Sequence, residues 1–453
     1  VAVETPEHDK RPKRSFGLEA LMVAFSRIIT RSATFLTGIV IARVLGVEGR
    51  GLVAALTVPT SLSTSLAEMG VRESSAYHLG RKIFAPQDVA GTLIAALPFA
   101  AALSIILSLT YFHITGVAEG DWLTRLLAVA VIPFTLGIAY VGGILLGTGN
   151  IALFSRANWV PAVISLTVVC VVTWGLGGGV RGALLGTALG ACFGLSFAIY
   201  ILQREVPIRL RLNFGILRSI QKLGLTYAAA SFALLLNFKI MILLLSYLQS
   251  IADVGLYATA AAIAEILFEV PMMVSSLLFS RSANASRREE MSKKILVFAR
   301  LAFLLVSAIA IGVGTISYWL FPFVYGPQFA PSAAICATLL PGVVAFVVYR
   351  ILLTDLHGRG LARYSLAVIV PTLLVNIILG YIMITNYGPI GAAIASTTTY
   401  ILATIAYIIM YSRITGFTFG EMLTFRSSDF TLLFNAIPTK MRNIITSRLR
   451  SDK

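Results

Sequence analysis

Apolar stretches long enough to cross a bilayer recur along almost the whole chain, and no other feature narrows its fold so far. A hydrocarbon core of about 30 Å takes about 20 residues of helix. Stretches near that length fall at about 18–44, 51–71, 89–112, 123–148, 157–174, 182–202, 223–248, 255–280, 295–320, 331–354, 364–385 and 391–412. Hydrophobic residues make up 57% of the 453 and charged residues 12%, where a soluble domain carries about 25% charge. Mean hydropathy is +0.87. The expected fold is an all-α polytopic membrane protein with about twelve transmembrane helices.

In a soluble protein a net charge of +16 would point to nucleic acid. Its distribution here points to topology instead, and no nucleic-acid partner is expected. With the N-terminus inside, cytoplasmic segments hold 27 of the 36 Lys and Arg, among them five in 203–222, five in 281–294 and seven in 413–453. The outer loops hold Arg50 and Arg181. That is the positive-inside pattern, and an even number of spans returns the C-terminus to the cytoplasm. The expected setting is a bacterial inner membrane with both termini cytoplasmic. The first apolar stretch is longer than the core of a cleavable signal peptide, so no leader is expected. Cys170, Cys192 and Cys336 lie in or beside apolar stretches at spacings that suit neither a metal site nor a disulfide framework. No metal and no cofactor are expected.

The two halves of the chain repeat. Glu48-Gly-Arg-Gly51-Leu52-Val-Ala54 corresponds to Asp253-Val-Gly255-Leu256-Tyr-Ala258 at an offset of 204. Gly147-Thr-Gly149, Phe154-Ser155 and Pro161 correspond to Gly358-Arg-Gly360, Tyr364-Ser365 and Pro371 at an offset of 210 or 211. These matches divide the chain into a basic head (1–17), an N-terminal six-helix bundle (18–202), a basic linker (203–222), a C-terminal six-helix bundle (223–412) and a basic tail (413–453). Six spans return the chain to its starting side, so the bundles are expected to be related by a pseudo-two-fold axis along the membrane normal. Transporters of that plan commonly hold substrate between their halves. The linker combines five basic residues with intermittent apolar ones, the pattern of a strap on the cytoplasmic interface, partly an amphipathic helix. The tail carries Lys440, Arg442, Arg448 and Arg450 and is read either as a solvated segment or as a binder of anionic lipid.

Charges within the spans carry the functional signal. Arg27 and Arg31 sit one turn apart in the first span and share a face with Thr34 and Gly38. Insertion scales put a mid-membrane arginine at roughly 2.5–3.5 kcal/mol, so such residues usually face a protein-lined or watery cavity. Arg27 is placed either in that cavity or, by snorkelling, at the headgroups. Glu68 and Arg72, also one turn apart, are read either as an intrahelical pair or as a carboxylate positioning an arginine at the cavity mouth. Lys239 lies well inside the seventh span, and the eighth offers Glu265 and Glu269. Two readings stay open: an ion pair holding the spans together, or a carboxylate that exchanges a proton, its pKa raised by burial. Arg300 and Arg350 are expected to snorkel, with Asp355 a further partner for Arg350.

Every external loop is about ten residues or fewer, too short for the outer catalytic domain of a membrane polymerase or glycosyltransferase. The close pair Glu119 and Asp121 reads as a solvated turn. Phosphate-loop, metalloprotease, nucleophile-elbow and paired-cysteine motifs are missing. Catalysis is not expected.

The basic head, the two six-span halves, the first hairpin Ile41-Ala-Arg-Val-Leu-Gly-Val-Glu48-Gly-Arg-Gly51-Leu52 and the eighth-span start Val254-Gly-Leu-Tyr-Ala-Thr-Ala-Ala together resemble the polysaccharide transporter family. That family belongs to the superfamily of multidrug and toxin extrusion exporters and lipid II flippases. The resemblance implies that spans one, two, seven and eight line a central cationic cavity, and that Arg27, Arg31, Arg72 and Lys239 meet the diphosphate of a polyprenyl-linked oligosaccharide. Glu68, Glu265 and Glu269 are then coupling or cavity carboxylates. Partners would be the lipid-linked oligosaccharide, membrane lipids and a polysaccharide polymerase or other assembly proteins. Drug exporters of the superfamily tend to carry acidic residues in the first bundle, where this chain's first span has Glu19 alone. Lipid II flippases usually carry two further spans. A drug or cation antiporter and a membrane glycosyltransferase or polymerase remain the alternatives.

Overall fold

The computed structural model describes residues 16–208, 210–269, 271–272, 288–359, 361 and 363–424. Most of the basic head, residues 273–280 of the eighth expected span, Arg281, Arg287 and the tail with Lys440, Arg442, Arg448 and Arg450 lie outside them. Among the described residues every regular element is helical, and eight helices are long and apolar enough to cross a membrane. The chain is a multi-pass membrane protein. By its internal contacts it separates into two compact units, residues 1–45 with 56–228, and residues 46–55 with 229–453.

The first unit draws on α1 (Phe16–Glu68), α2 (Val71–Gly80), α3 (Pro86–Thr115), α4 (Trp122–Val129), α5 (Ile132–Gly147), α6 (Ile151–Val169) and α7 (Gly179–Gln203). The first two expected spans are the arms of α1, which meet at Gly46 in a non-helical conformation, φ 69° and ψ −170°. The end of α6 widens into a π-helical turn, Cys170–Gly175.

Close packing here depends on glycine. Gly186, Gly190 and Gly194 follow one another every four residues along α7, and a Cβ on each would come within 2.9 Å of the backbone of Val169, 2.4 Å of Ser165 Cα and 2.5 Å of the Pro161 ring. Gly143 and Gly147 of α5 meet α2 in the same way, at the Arg72 carbonyl and at Ala76. Small residues every fourth position let helix backbones approach, and dispersion then replaces the hydrophobic drive that lipid removes.

The 203–222 segment divides in two. Residues 214–222 already belong to α8 (Phe214–Leu248), and Asn213 caps it, its side-chain oxygen accepting from the Gly215 and Ile216 N–H groups at 3.0 and 3.2 Å. Ile216 and Ile220 enter the first unit's core beside Val71, Leu79 and Val89. His78 Nε2 and Ser219 Oγ lie 3.0 Å apart, and Thr92 donates to the Arg211 carbonyl at 3.3 Å. Arg211, Arg218 and Lys222 are exposed. The segment is thus amphipathic as expected, with its apolar face built into this unit.

Asp121 is more than a solvated turn. It caps α4, accepting from the Thr124 N–H at 3.1 Å and from the Thr124 hydroxyl, and it pairs with Arg181 at 3.0 Å. Those Thr124 bonds, and then Arg181, hold its carboxyl below the usual carboxylate range.

The second unit contains most of α8 with α9 (Ile251–Ile266), α10 (Arg288–Tyr325), α11 (Pro331–Gly358), α12 (Arg363–Thr415) and α13 (Phe419–Leu423). The last two expected spans are one element, α12, folded back on itself at Gly388 (φ 57°, ψ −137°). A Cβ at Gly391 would lie 1.9 Å from the Met383 carbonyl, which only a hairpin allows. Pro389 opens the second arm, where a missing N–H leaves no bond unmade. In both copies of the longer repeat the motif's first glycine, Gly147 or Gly358, ends a helix. The shorter repeat meets itself: a Cβ on Gly51 would lie 1.8 Å from the Ile251 carbonyl, and one on Gly255 would lie 2.1 Å from the Val47 carbonyl. Those two contacts exchange under the 204-residue shift.

Candidate functional site

The first arm of α1 has a protein-facing side and an open side. Ser26 and Ala33, seven residues apart, are buried, and the Ser26 hydroxyl donates to the Ser155 carbonyl of α6 at 2.9 Å. Thr30, Thr34 and Thr37 return their hydroxyls to carbonyls four residues back at 2.8–2.9 Å, so none spends a donor outside the helix. On the remaining side Arg31 and Thr34 are exposed, while Arg27 and Gly38 are half-buried. The stripe expected from helical spacing is therefore open.

At the end of α1 the backbone turns through Met69 (φ 49°) and Gly70 (φ 65°). Arg72 bonds its neighbour Glu73 at 3.0–3.1 Å and stands 3.9 Å from Glu68, the partner that helical spacing favours. The turn explains the exchange: Glu68 ends one helix and Arg72 lies in the first turn of the next, so the two do not stack along one continuous helix.

In the second unit the two residues of α8 before the lysine fix its place. Asn237 is buried and locked, Asn376 Nδ2 donating to its carbonyl at 3.1 Å and to its side-chain oxygen at 3.3 Å, while Thr399 donates to Asn376 Oδ1 at 3.0 Å. Phe238 packs among Phe268, Phe346 and Tyr400 with ring centroids 5.2–5.6 Å apart. With those two faces committed, Lys239 reaches Glu265 of α9 through both carboxylate oxygens, at 2.8 and 2.9 Å. The pair is partly open, the side chains being 24% and 32% exposed. Of the two carboxylates offered to Lys239, Glu265 is the one it contacts. Glu269 lies one turn further on and is half-buried.

Two arginines expected to snorkel do not. Arg350 stands 5.6 Å from the Phe238 ring and 5.8 Å from that of Phe268, and donates to Met272 Sδ at 3.3 Å. Aromatic faces attract a guanidinium, more strongly where water is scarce. Arg300 is buried and donates to the Glu421 carbonyl of α13.

Sequence reasoning missed a buried carboxylate cluster. Asp355 accepts from Ser292 of α10 and Tyr411 of α12, both at 2.6 Å, and pairs with Arg359 at 3.0 Å. The Asp355–Arg359 spacing of four was readable. Ser292 and Tyr411 are supplied by the fold. The network ties three helices together.

A family model described as polysaccharide biosynthesis protein matches residues 18–279. No curated protein matches the chain. Among solved structures, lipid II flippase MurJ in its inward closed conformation superposes with a TM-score of 0.74 at 16% identity, over 91% of this chain and 89% of that one. A multidrug resistance MATE family transporter of the MOP superfamily, inward-facing, gives 0.70 at 18% identity over 88% and 98%. A MOP superfamily transporter from Pyrococcus furiosus, described as having a binding pocket of reverse polarity, gives 0.58 at 18% identity over 90% and 96%. At these identities the likeness establishes a shared fold.

Proposed function

Because the chain belongs to the polysaccharide biosynthesis protein family, we propose that it is a flippase that carries a polyprenyl-diphosphate-linked oligosaccharide from the cytoplasmic to the periplasmic leaflet of a bacterial inner membrane. Transport proceeds by alternating access, and the distribution of Lys and Arg supports placing both termini in the cytoplasm. The observation that carries this reading is the open arginine face of α1, with Arg31 exposed and Arg27 half-buried one turn away. A planar guanidinium matches two oxygens of a phosphate at once, and two of them one turn apart suit a diphosphate. The polyprenyl tail stays in the bilayer, so the protein moves only the polar head and no covalent bond changes.

Arg72 and Lys239 act in the same pathway as further cations. Each already holds a carboxylate, so an arriving phosphate competes with Glu73 or Glu68 for Arg72 and with Glu265 for Lys239. Glu68, Glu265 and Glu269 are thereby the carboxylates through which substrate movement couples to local charge. A polysaccharide polymerase or another assembly protein takes the product.

The test is a strain dependent on this protein for surface glycan. Arg31→Gln, and more fully Arg27→Gln with Arg31→Gln, should leave lipid-linked glycan accumulating on the cytoplasmic leaflet. Losing one charge-assisted contact costs about 1.5–3 kcal/mol, or roughly tenfold to a hundredfold in flux. Normal delivery by the double variant contradicts the proposal. The fold shared with a multidrug transporter keeps drug efflux as a second reading, and it predicts the reverse: efflux of cationic drugs that survives loss of both arginines.

A further inference from the structure

We propose that the first unit carries a binding groove for an anionic membrane phospholipid at the start of α8, separate from the arginine face of α1 and independent of the transport reading. Two adjoining hollows make the groove. The first, about 330 Å³, is lined by apolar side chains including Ala96, Phe99 and Leu103 of α3 and Phe214 and Leu217 of α8. The second, about 710 Å³, has Arg218 and Lys222 on its wall. Met69 and Gln221 line both, so an apolar trough runs into a basic lip.

The groove is preformed. Ile216 and Ile220 anchor this part of α8 in the core, Ser219 is held by His78, and Asn213 caps the helix. The anchored face fixes the opposite one, where Arg218 and Lys222 stand one turn apart and exposed. Phe99 is 72% and Phe214 74% exposed, so the trough opens sideways to the surroundings of the helices. In a bilayer those surroundings are acyl chains.

Chemistry selects the occupant. No described residue lining either hollow is acidic, so nothing in the lip neutralises Arg218 and Lys222. A ligand filling both hollows needs an apolar chain and a negative head a few ångströms apart, which describes a phospholipid with a phosphodiester and an anionic headgroup. Exposed lysines and arginines attract such heads weakly one by one. Weak attraction is sufficient for a ligand that is also the solvent.

The full-length protein in phosphatidylcholine nanodiscs, doped with phosphatidylglycerol carrying a photoreactive group in one acyl chain, tests this directly. Labelled peptides should contain residues 96–103 and 212–221, and unlabelled phosphatidylglycerol should compete where phosphatidylcholine does not. Arg218→Gln with Lys222→Gln should cut labelling roughly tenfold. Both side chains are exposed, so the variant keeps the fold. Leu103→Trp, which fills the trough, should remove chain labelling while the unfolding temperature stays near that of the parent. Equal competition by phosphatidylcholine, or labelling indifferent to the two basic residues, overturns the proposal in favour of a surface merely wetted by lipid. Competition by inorganic phosphate alone overturns it in favour of a headgroup-only site. Stronger competition by a polyprenyl phosphate than by phosphatidylglycerol overturns it by assigning the groove to the transported lipid.

Discussion

Lys239 and Glu265 make a two-point contact, and its worth depends on where it stands. Exposed pairs contribute about 0–1 kcal/mol, whereas breaking a fully buried pair costs about 3–5 kcal/mol because one charge is left stranded. At 24% and 32% exposure the pair lies between these limits. Lys239→Ala is expected to cost about 1–3 kcal/mol, seen as a lower unfolding temperature of the purified protein in one detergent. Adding Glu265→Gln should recover part of the loss, because the stranded carboxylate goes with it. Strictly additive losses would show that the pair does not couple. The sequence placed Lys239 opposite Glu265 and Glu269, since all three lie at membrane depth on adjacent spans. Choosing Glu265 needed the rotation of α9 about its axis, which the buried Tyr257–Ser396 contact at 3.1 Å helps to set. For Arg350 the expectation failed because an arginine was assumed to seek water. Phe238 and Phe268 offered it ring faces close at hand.

Among the elements, α7 shows most directly what the bilayer demands. Its glycines at 186, 190 and 194 bring it against α6 with no side chain between, so added bulk has nowhere to go. Gly190→Ala would put a methyl 2.4 Å from Ser165 Cα, and overpacking of this kind costs about 1–3 kcal/mol. The matched control is Gly312→Ala in α10, where a Cβ meets nothing within 4 Å. It should be neutral or stabilising by up to about 1 kcal/mol, the difference in helix propensity. Thermal unfolding of the two variants side by side checks both, and equal shifts would remove the packing argument. Helix positions were legible because hydropathy reports depth. The breaks at Gly46 and Gly388 were expected as short loops, and both proved to be single non-helical glycines inside longer elements. The linker's basic and apolar pattern was legible too. Its docking onto α2 and α3 was not, because His78 and Thr92 lie far from it in the chain.

For the whole molecule, the class of fold follows from composition and span length. The order of charges along the chain carries the proposed orientation. That orientation has a simple check, because α7, 25 residues long, separates Gly175 from Arg211. In a cysteine-free background, Gly175→Cys should react with an impermeant maleimide on intact inner membranes facing outward. Arg211→Cys should react only after the bilayer is opened. The opposite result would invert the proposed direction of transport as well. What the chain did not disclose were the assemblies made from distant residues: Asp355 with Ser292 and Tyr411, and Asn237 with Asn376 and Thr399. Each draws on helices separated by dozens of residues, and no local spacing encodes them.

The turn at Gly388 also limits where foreign sequence can be placed. Between the arms of α12 one residue leaves the helical path, and Pro389 follows at once. An epitope or fluorescent protein inserted there would have to part arms that meet directly, Gly391 against the Met383 carbonyl. The segment at 175–179 is the opposite case: residues 176–178 lie outside any helix, between the π-helical turn and α7, so inserted chain leaves both elements intact. Reporter fusions should be tolerated at that segment and rejected at residue 388, although hydropathy alone would mark both simply as gaps between spans.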